Sequence, residues 1–196
     1  MLSLACVFLV AKAEERKQQK FIGYINDMKS FEADYQQEVI GRKGAVISTN
    51  KGRLMFKSPG LFRWQSQDNS LTINDGQFLW QFDPDLEQVI KTDISKSEQG
   101  SSIIAIINNT KLMGQYYNIE LNKKSYHSSK YCLTDKLDPK NKIWLSFNSE
   151  KLTKIEYYDS LQNLCSIKFS SIKYNKEISS KWFAFIPDPS LDIIEQ

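Results

Sequence analysis

At 196 residues, with 41% hydrophobic and 25% charged side chains, the chain has the length and mix of one globular domain with its own core, which excludes a disordered polymer and a bundle of membrane spans. Its 26 basic residues barely exceed its 23 acidic ones. The lysines are scattered through strand-like runs and do not group with aromatics, so no nucleic-acid-binding stripe is expected.

The first 13 residues, MLSLACVFLVAKA, join a short apolar run from Leu4 to Val10 to Ala11-Lys12-Ala13, a small-x-small cleavage pattern. Residues 1–13 are therefore expected to be a signal peptide and 14–196 a single domain, although the basic residues that usually open a signal are missing. A buried N-terminal helix is the alternative. The run is too short for a bilayer, which needs roughly 20 apolar residues, and it continues past Cys6, which argues against Cys6 as an acylation site. Cleavage after Ala13 would remove Lys12 and lower the formal charge from +3 to +2, a balance that names no partner.

From Glu14 to Ser30 the residues Phe21, Ile22, Ile25 and Met28 recur at helical spacing, which predicts an amphipathic helix that covers something apolar. Phe31, Ala33, Tyr35 and Gln37 then alternate with Glu32, Asp34 and Gln36, the period of a half-buried strand. The alternation repeats: Leu54 and Phe56, Phe62 and Trp64, Leu71 and Ile73 each oppose a different set. Turn-forming residues at Gly41–Gly44, Asn50–Gly52, Pro59-Gly60, Asn74–Gly76, Asp83-Pro84-Asp85 and Asp138-Pro139 separate the runs at hairpin spacing. Between Ser95 and Leu112 a Ser-capped apolar stretch, Ser101 to Ile107, predicts a short buried or lid-like helix, with a strand as the alternative because of its β-branched content.

Strands are expected again around Tyr131–Thr134, Lys142–Phe147, Leu152–Tyr158 and Leu164–Ile172, followed by an aromatic run, Trp182 to Ile186, that stops at Pro187. The sum is a mainly β chain with one N-terminal helix and one helical insertion, which points to a strongly curved antiparallel sheet, an incomplete barrel around apolar contents. Cys132 falls on the face opposite its apolar neighbours, whereas Cys165 shares a face with Ile167 and Phe169. A disulfide between them is not expected, because side chains on opposite faces of one sheet cannot approach closely enough.

No CxxC, HExxH, glycine-rich phosphate loop or nucleophile elbow is present, and the one histidine, His127, sits in a polar loop-like segment. Asp83 and Asp85 flank a proline turn that explains them. No catalytic residue, metal ligand or cofactor is expected. An enzyme would require two carboxylates to converge in a cavity.

Three blocks carry a family resemblance: Ser30–Gln37 (SFEADYQQ), Gly52–Trp64 (GRLMFKSPGLFRW) and Asp75–Val89 (DGQFLWQFDPDLEQV), with Gln115–Ile119 and a Phe183-x-Phe185-x-Pro187 ending in support. In these the chain resembles the periplasmic outer-membrane lipoprotein carrier proteins, the LolA family. The resemblance implies a half-barrel closed by a helical lid around an apolar cavity for the acyl chains of lipoproteins. It also implies a monomer in the periplasm, loaded by an inner-membrane ABC-type lipoprotein release complex and unloaded to an outer-membrane lipoprotein receptor.

By strand parity the candidate cavity wall is Tyr35, Leu54, Phe56, Phe62, Trp64, Ile73, Phe78, Trp80 and Phe82, with Phe21, Ile25, Ile103, Ile106 and Ile107 as the lid. Any of them could equally be ordinary core. Where the family commonly has an arginine before the proline, thought to hold the lid shut, this chain has Ser58. A hydroxyl lacks the guanidinium's donors, and the lid also lacks a proline often found at its start. Ser58 shares parity with Leu54 and Phe56, so it is expected to point inward and the lid to close less firmly or to use another residue; Arg63 is nearby but lies on the other parity. A membrane-anchored receptor of the same fold would show an apolar loop after the third strand, but Gln65–Ser70 is polar. A lipoprotein-sensing periplasmic regulator would usually need a second domain, for which this length leaves no room.

Overall fold

The structure is a computed structural model and describes residues 4–94 and 110–196. Helix α1 (Leu4–Asn26) leads into strands β1 (Ser30–Ile40), β2 (Val46–Lys57), β3 (Leu61–Ser66), β4 (Leu71–Asn74), β5 (Phe78–Asp83) and β6 (Gln88–Asp93). A short helix, α2 (Thr110–Tyr116), precedes β7 (Tyr117–Lys124), β8 (Ser128–Asp135), β9 (Lys142–Asn148), β10 (Lys151–Tyr158) and β11 (Leu164–Tyr174). A 3-10 turn (Ser180–Phe183) and β12 (Asp192–Glu195) end the chain. The strands form one sheet in the order β12-β6-β5-β4-β3-β2-β1-β11-β10-β9-β8-β7. Every pairing is antiparallel except β12 with β6. The sequence-predicted helix is longer than expected at its start, reaching back to Leu4.

Alternation becomes architecture through register. Phe31 lies opposite Phe56, which lies opposite Phe62, while Ala33, Leu54 and Trp64 form the next row. On the other side of β1, Ile167, Ile155, Leu145 and Tyr131 continue a row to Leu121. This face meets α1 and the link after it, whose Phe21, Ile25 and Met28 are buried in the same cluster. Bulges interrupt the ladder between Glu32 and Asp34, Leu152 and Lys154, and Leu121 and Lys123. Each extra residue adds twist, and together they bend the sheet around the helix.

The other face has its own cover. Met55 and Leu61 pack with Ile178 and Phe183, Trp182 lies over the Arg63 guanidinium, and Phe185 packs on Trp80 and Phe82. The chain after β11 therefore crosses the outside of the half-barrel before β12 joins its edge. This corrects the parity assigned to four candidates. Ile73 pairs with Arg63 and Trp80, and Phe82 with Leu71, so Ile73, Phe78, Trp80 and Phe82 lie on the outer face under the C-terminal segment. Alternation reports that one face of a strand is covered, and here the cover for β4 and β5 comes from the far end of the chain.

The outer face of the opposite half carries a charged cluster instead. Glu156, almost fully buried, accepts hydrogen bonds from Lys130 at 2.7 Å and Lys154 at 2.5 Å. Burial alone would push its carboxyl up, but the two lysines outweigh burial and hold it below the usual carboxylate range. A lowered carboxyl stabilises the fold above its unfolded-state pKa, near 4.3, and that contribution disappears as pH falls through the folded value. Glu156→Gln should therefore cost about 1 kcal/mol at pH 7, given lysines that keep solvent contact. In urea unfolding the wild-type advantage should be constant above the unfolded-state value and shrink as pH falls below it, until the carboxyl is protonated in the folded state too.

Candidate functional site

The apolar face that meets α1 is the largest continuous feature of the described residues, and five sequence-predicted candidates lie on it. Tyr35, Leu54, Phe56 and Phe62 are buried there, and Trp64 packs against them half-buried. The Tyr35 ring lies 4.8 Å from that of Trp64, tilted by 55°, and its hydroxyl donates to the Asn50 side-chain carbonyl at 3.2 Å. Burial pushes the Tyr35 phenol up from its ordinary pKa, so it remains a neutral donor.

The lining divides into two halves. Over β7–β11 it is filled: Phe21 of α1 lies 5.0 Å from the Tyr131 ring and 6.0 Å from Phe147, and Tyr24 lies 5.3 Å from Phe147. Met113 of α2 is buried in the same cluster. Over β4–β6 the inward positions are those paired through Asn74, Leu79, Gln81 and Ile90, with Leu79 only half-buried against the core. That half is more polar than sequence parity predicts, because its aromatics turned outward. The lid candidates Phe21 and Ile25 both face the sheet, whereas Ile103, Ile106 and Ile107 lie outside the described residues.

Sequence reasoning did not place Phe31, Ala33, Leu79, Tyr131, Leu133, Leu145, Phe147, Ile155, Ile167 or Phe169 on the lining, yet all but Leu79 are buried in the one cluster. The period-two signal was present in every one of those strands. Phe31 and Ala33 share the face of Tyr35, and Leu79 has the parity opposite to Phe78 and Trp80.

Ser58 also needs correction. It is exposed, in the turn after β2, and its amide donates to the Lys29 carbonyl at 2.9 Å. Strand pairing stops at Lys57, so parity no longer governs position 58 and the hydroxyl does not point into the interior. Arg63 is on the outer face as expected, where it donates to the Trp182 carbonyl at 3.3 Å.

What holds α1 in place is instead at its C-terminal end. The Asn175 side chain accepts from the Lys29 amide at 2.8 Å and donates to the Asp27 carbonyl at 2.7 Å. The Tyr174 hydroxyl donates to the Tyr24 carbonyl at 3.2 Å. These polar contacts cluster within the last turn and the following link. Upstream, α1 meets the sheet through buried Phe21 and Ile25 and through an ion pair between Lys20 and Glu150 at 3.9 Å whose side chains are largely exposed, a contact of little strength.

His127 is exposed in the β7–β8 loop, its ring 4.4 Å from that of Tyr126. Asp83 accepts from the Asp85 and Leu86 amides, which is turn chemistry. Among the described residues no group of His, Cys, Asp and Glu could hold a metal ion. Cys132 and Cys165 are free and lie on opposite faces, Cys132 beside Trp144 and Cys165 beside Tyr157. Burial raises the Cys165 thiol and pushes the Tyr157 phenol up to about 12, so the thiolate that reacts with electrophiles is scarce. Alkylation of Cys165 by iodoacetamide at pH 8 should be about tenfold slower in the folded protein than in urea, read by mass spectrometry.

A family model described as outer membrane lipoprotein carrier protein LolA matches residues 26–186. Curated relatives named outer-membrane lipoprotein carrier protein include one from Xanthomonas campestris pv. campestris, 28% identical with 97% of this chain and 94% of that protein covered. Another, from Legionella pneumophila, is 27% identical with 88% and 86% covered. Among solved structures, an uncharacterized conserved protein from Thermus thermophilus aligns with a TM-score of 0.56 at 8% identity, covering 93% of this chain and 99% of that one. The Mycobacterium tuberculosis lipoprotein LppX aligns at 0.52 and 10% identity, covering 86% and 98%. Those two likenesses concern the fold alone.

Proposed function

The chain belongs to the outer membrane lipoprotein carrier protein family, LolA, and on that footing we propose that it ferries lipoproteins across the periplasm with their acyl chains held against the apolar face under α1. The family is one of carriers and not of enzymes. The observation that supports the reading is the way α1 is attached: hydrogen bonds fasten its last turn and the link after it at Tyr174 and Asn175, while upstream Phe21 and Ile25 plug the interior by apolar contact with the exposed Lys20–Glu150 pair beside them. A helix fastened at one end can swing, and an acyl chain can then replace its side chains.

The magnitudes favour that exchange. Exposing Phe21 and Ile25 costs about 1.5–3 kcal/mol each. A buried methylene gains about 0.8 kcal/mol, so one chain of about sixteen carbons more than offsets the uncovered plug. Without cargo the closed helix keeps the same face from becoming an exposed apolar patch. Residues 1–13 act in this reading as the export signal, and cleavage after Ala13 keeps the part of α1 that bears the plug. Loading comes from an inner-membrane ABC-type release complex and unloading goes to an outer-membrane receptor. The polar β3–β4 loop, held by Asp68 accepting from the Ser70 amide at 2.9 Å, supports the travelling carrier over an anchored receptor.

The test is to isolate the protein from its native periplasm and identify what copurifies by mass spectrometry. Triacylated lipoproteins are expected. Recovery of only free fatty acids or other small ligands overturns the proposal.

A further inference from the structure

The exposed apolar side chains of the described strand connections are not spread evenly over the half-barrel. The turns β1–β2, β10–β11 and β8–β9 all lie at the same end, and they follow one another along the sheet because the strand order there is β2-β1-β11-β10-β9-β8. Each carries a large apolar residue in solvent in the turn or at the strand start beside it: Val46 and Ile47 at the start of β2, exposed by 55% and 60%, Leu161 by 70%, and Leu137 by 91%. Strands about 4.8 Å apart put successive turns about 10 Å from one another, so the tips form one arc. Two of the turns touch directly, with Arg42 donating to the Leu161 carbonyl at 3.1 Å. At the opposite end the turns at 58–60, 75–77 and 149–150 are small or polar, and Tyr126 is the exposed large residue among the described ones.

The same three turns and their flanks contain Arg42, Lys43, Lys136, Lys140 and Lys142 against Asp135, Asp138 and Asp159. All three carboxylates accept from turn amides: Asp135 from Leu137, Asp138 from Lys140, Asp159 from Leu161. Further round the same end, Asp68, Asp83, Asp85 and Glu87 make the remaining turns acidic. Among the described residues Leu86, exposed by 67%, is the one apolar tip in that acidic part; the other three apolar turns share the basic part of the rim. Apolar loop tips set among cations match the interface of a bilayer with anionic headgroups, where the tips enter the acyl boundary and the cations meet the lipid charge.

We propose that this rim docks the protein on an anionic lipid bilayer. The surface is separate from the face under α1, and the proposal does not depend on what that face carries. Its test uses the full chain without cargo and two vesicle types, phosphatidylglycerol mixed with phosphatidylethanolamine and phosphatidylcholine alone. The protein should cosediment with the anionic vesicles and not the neutral ones, and rising salt should release it. Leu137→Asp with Leu161→Asp should lower the bound fraction about tenfold, and Arg42→Glu with Lys43→Glu should remove the lipid preference. Both pairs are exposed, so thermal unfolding should confirm an intact fold. Failure to bind either vesicle overturns the proposal. So does binding that both variants retain, which would place it elsewhere, for instance at Leu4–Val10. Concentration-dependent self-association abolished by the same substitutions would make the occupant a second copy of the chain and overturn it as well.

Discussion

Gly52→Ala should destabilise the protein by about 3 kcal/mol, a large cost for one methyl group, and should lower the thermal midpoint by roughly 6–12 °C for a chain of this size. Gly52 pairs with Tyr35 on β1 and with Ser66 on β3. A Cβ there would stand 2.0 Å from the Gln65 carbonyl oxygen, 2.7 Å from the Ser66 Cα and 2.8 Å from the Tyr35 ring. Two of the three obstacles are backbone, so no rotamer change relieves them; the strands must part, and the Tyr35 contact with Trp64 parts with them. Gly23 in α1 is the control, because nothing lies within 4 Å of its added Cβ. Gly23→Ala should stabilise by about 0.5–1 kcal/mol through helix propensity. Urea unfolding of both variants decides the matter, and equal midpoints would show that the close approach at Gly52 is absent.

Phe21→Ala is the second large effect, and its form bears on function. Phe21 is fully buried and wedged between Tyr131 and Phe147. Truncating such a side chain removes about 3–5 kcal/mol. If α1 were an integral part of one cooperative core, the whole protein would lose that amount. For a helix that swings on Asn175, the loss is limited to the free energy that docks it. The expected result is a sheet whose urea midpoint shifts by less than the truncation cost, with α1 newly open to protease and to hydrogen exchange. An undocked plug also removes the competitor for the interior, so cargo affinity should rise. A single cooperative transition lowered by the full amount, with α1 still protected, would rule out α1 as the lid.

The candidate site was legible in sequence only in part. Tyr35, Leu54, Phe56, Phe62 and Trp64 carried the right period and the right face, and the opposite placement of Cys132 and Cys165 was readable from their neighbours. The lining contributed by β8–β11 carried the same signal. The anchoring role of Asn175, however, had none, because an asparagine after a strand looks like any turn residue until Lys29 and Asp27 are seen beside it.

Residues near one another in the chain determined the strand periods, most turn positions, the presence of the amphipathic helix and the family, since each depends on spacing over a few residues; Asn50–Gly52, expected as a turn, instead lies inside β2, and the helix expected to reach Ser30 ends at Asn26. Tertiary structure alone decided which side of the sheet is inside. Ile73, Phe78, Trp80 and Phe82 alternate as an inward set would, and they face outward because Phe183 and Phe185, about a hundred residues later in the chain, return across the outer face. Ser58 shows the same limit over a shorter span: parity holds while strands pair, pairing ends at Lys57, and one residue further the side chain belongs to the solvent.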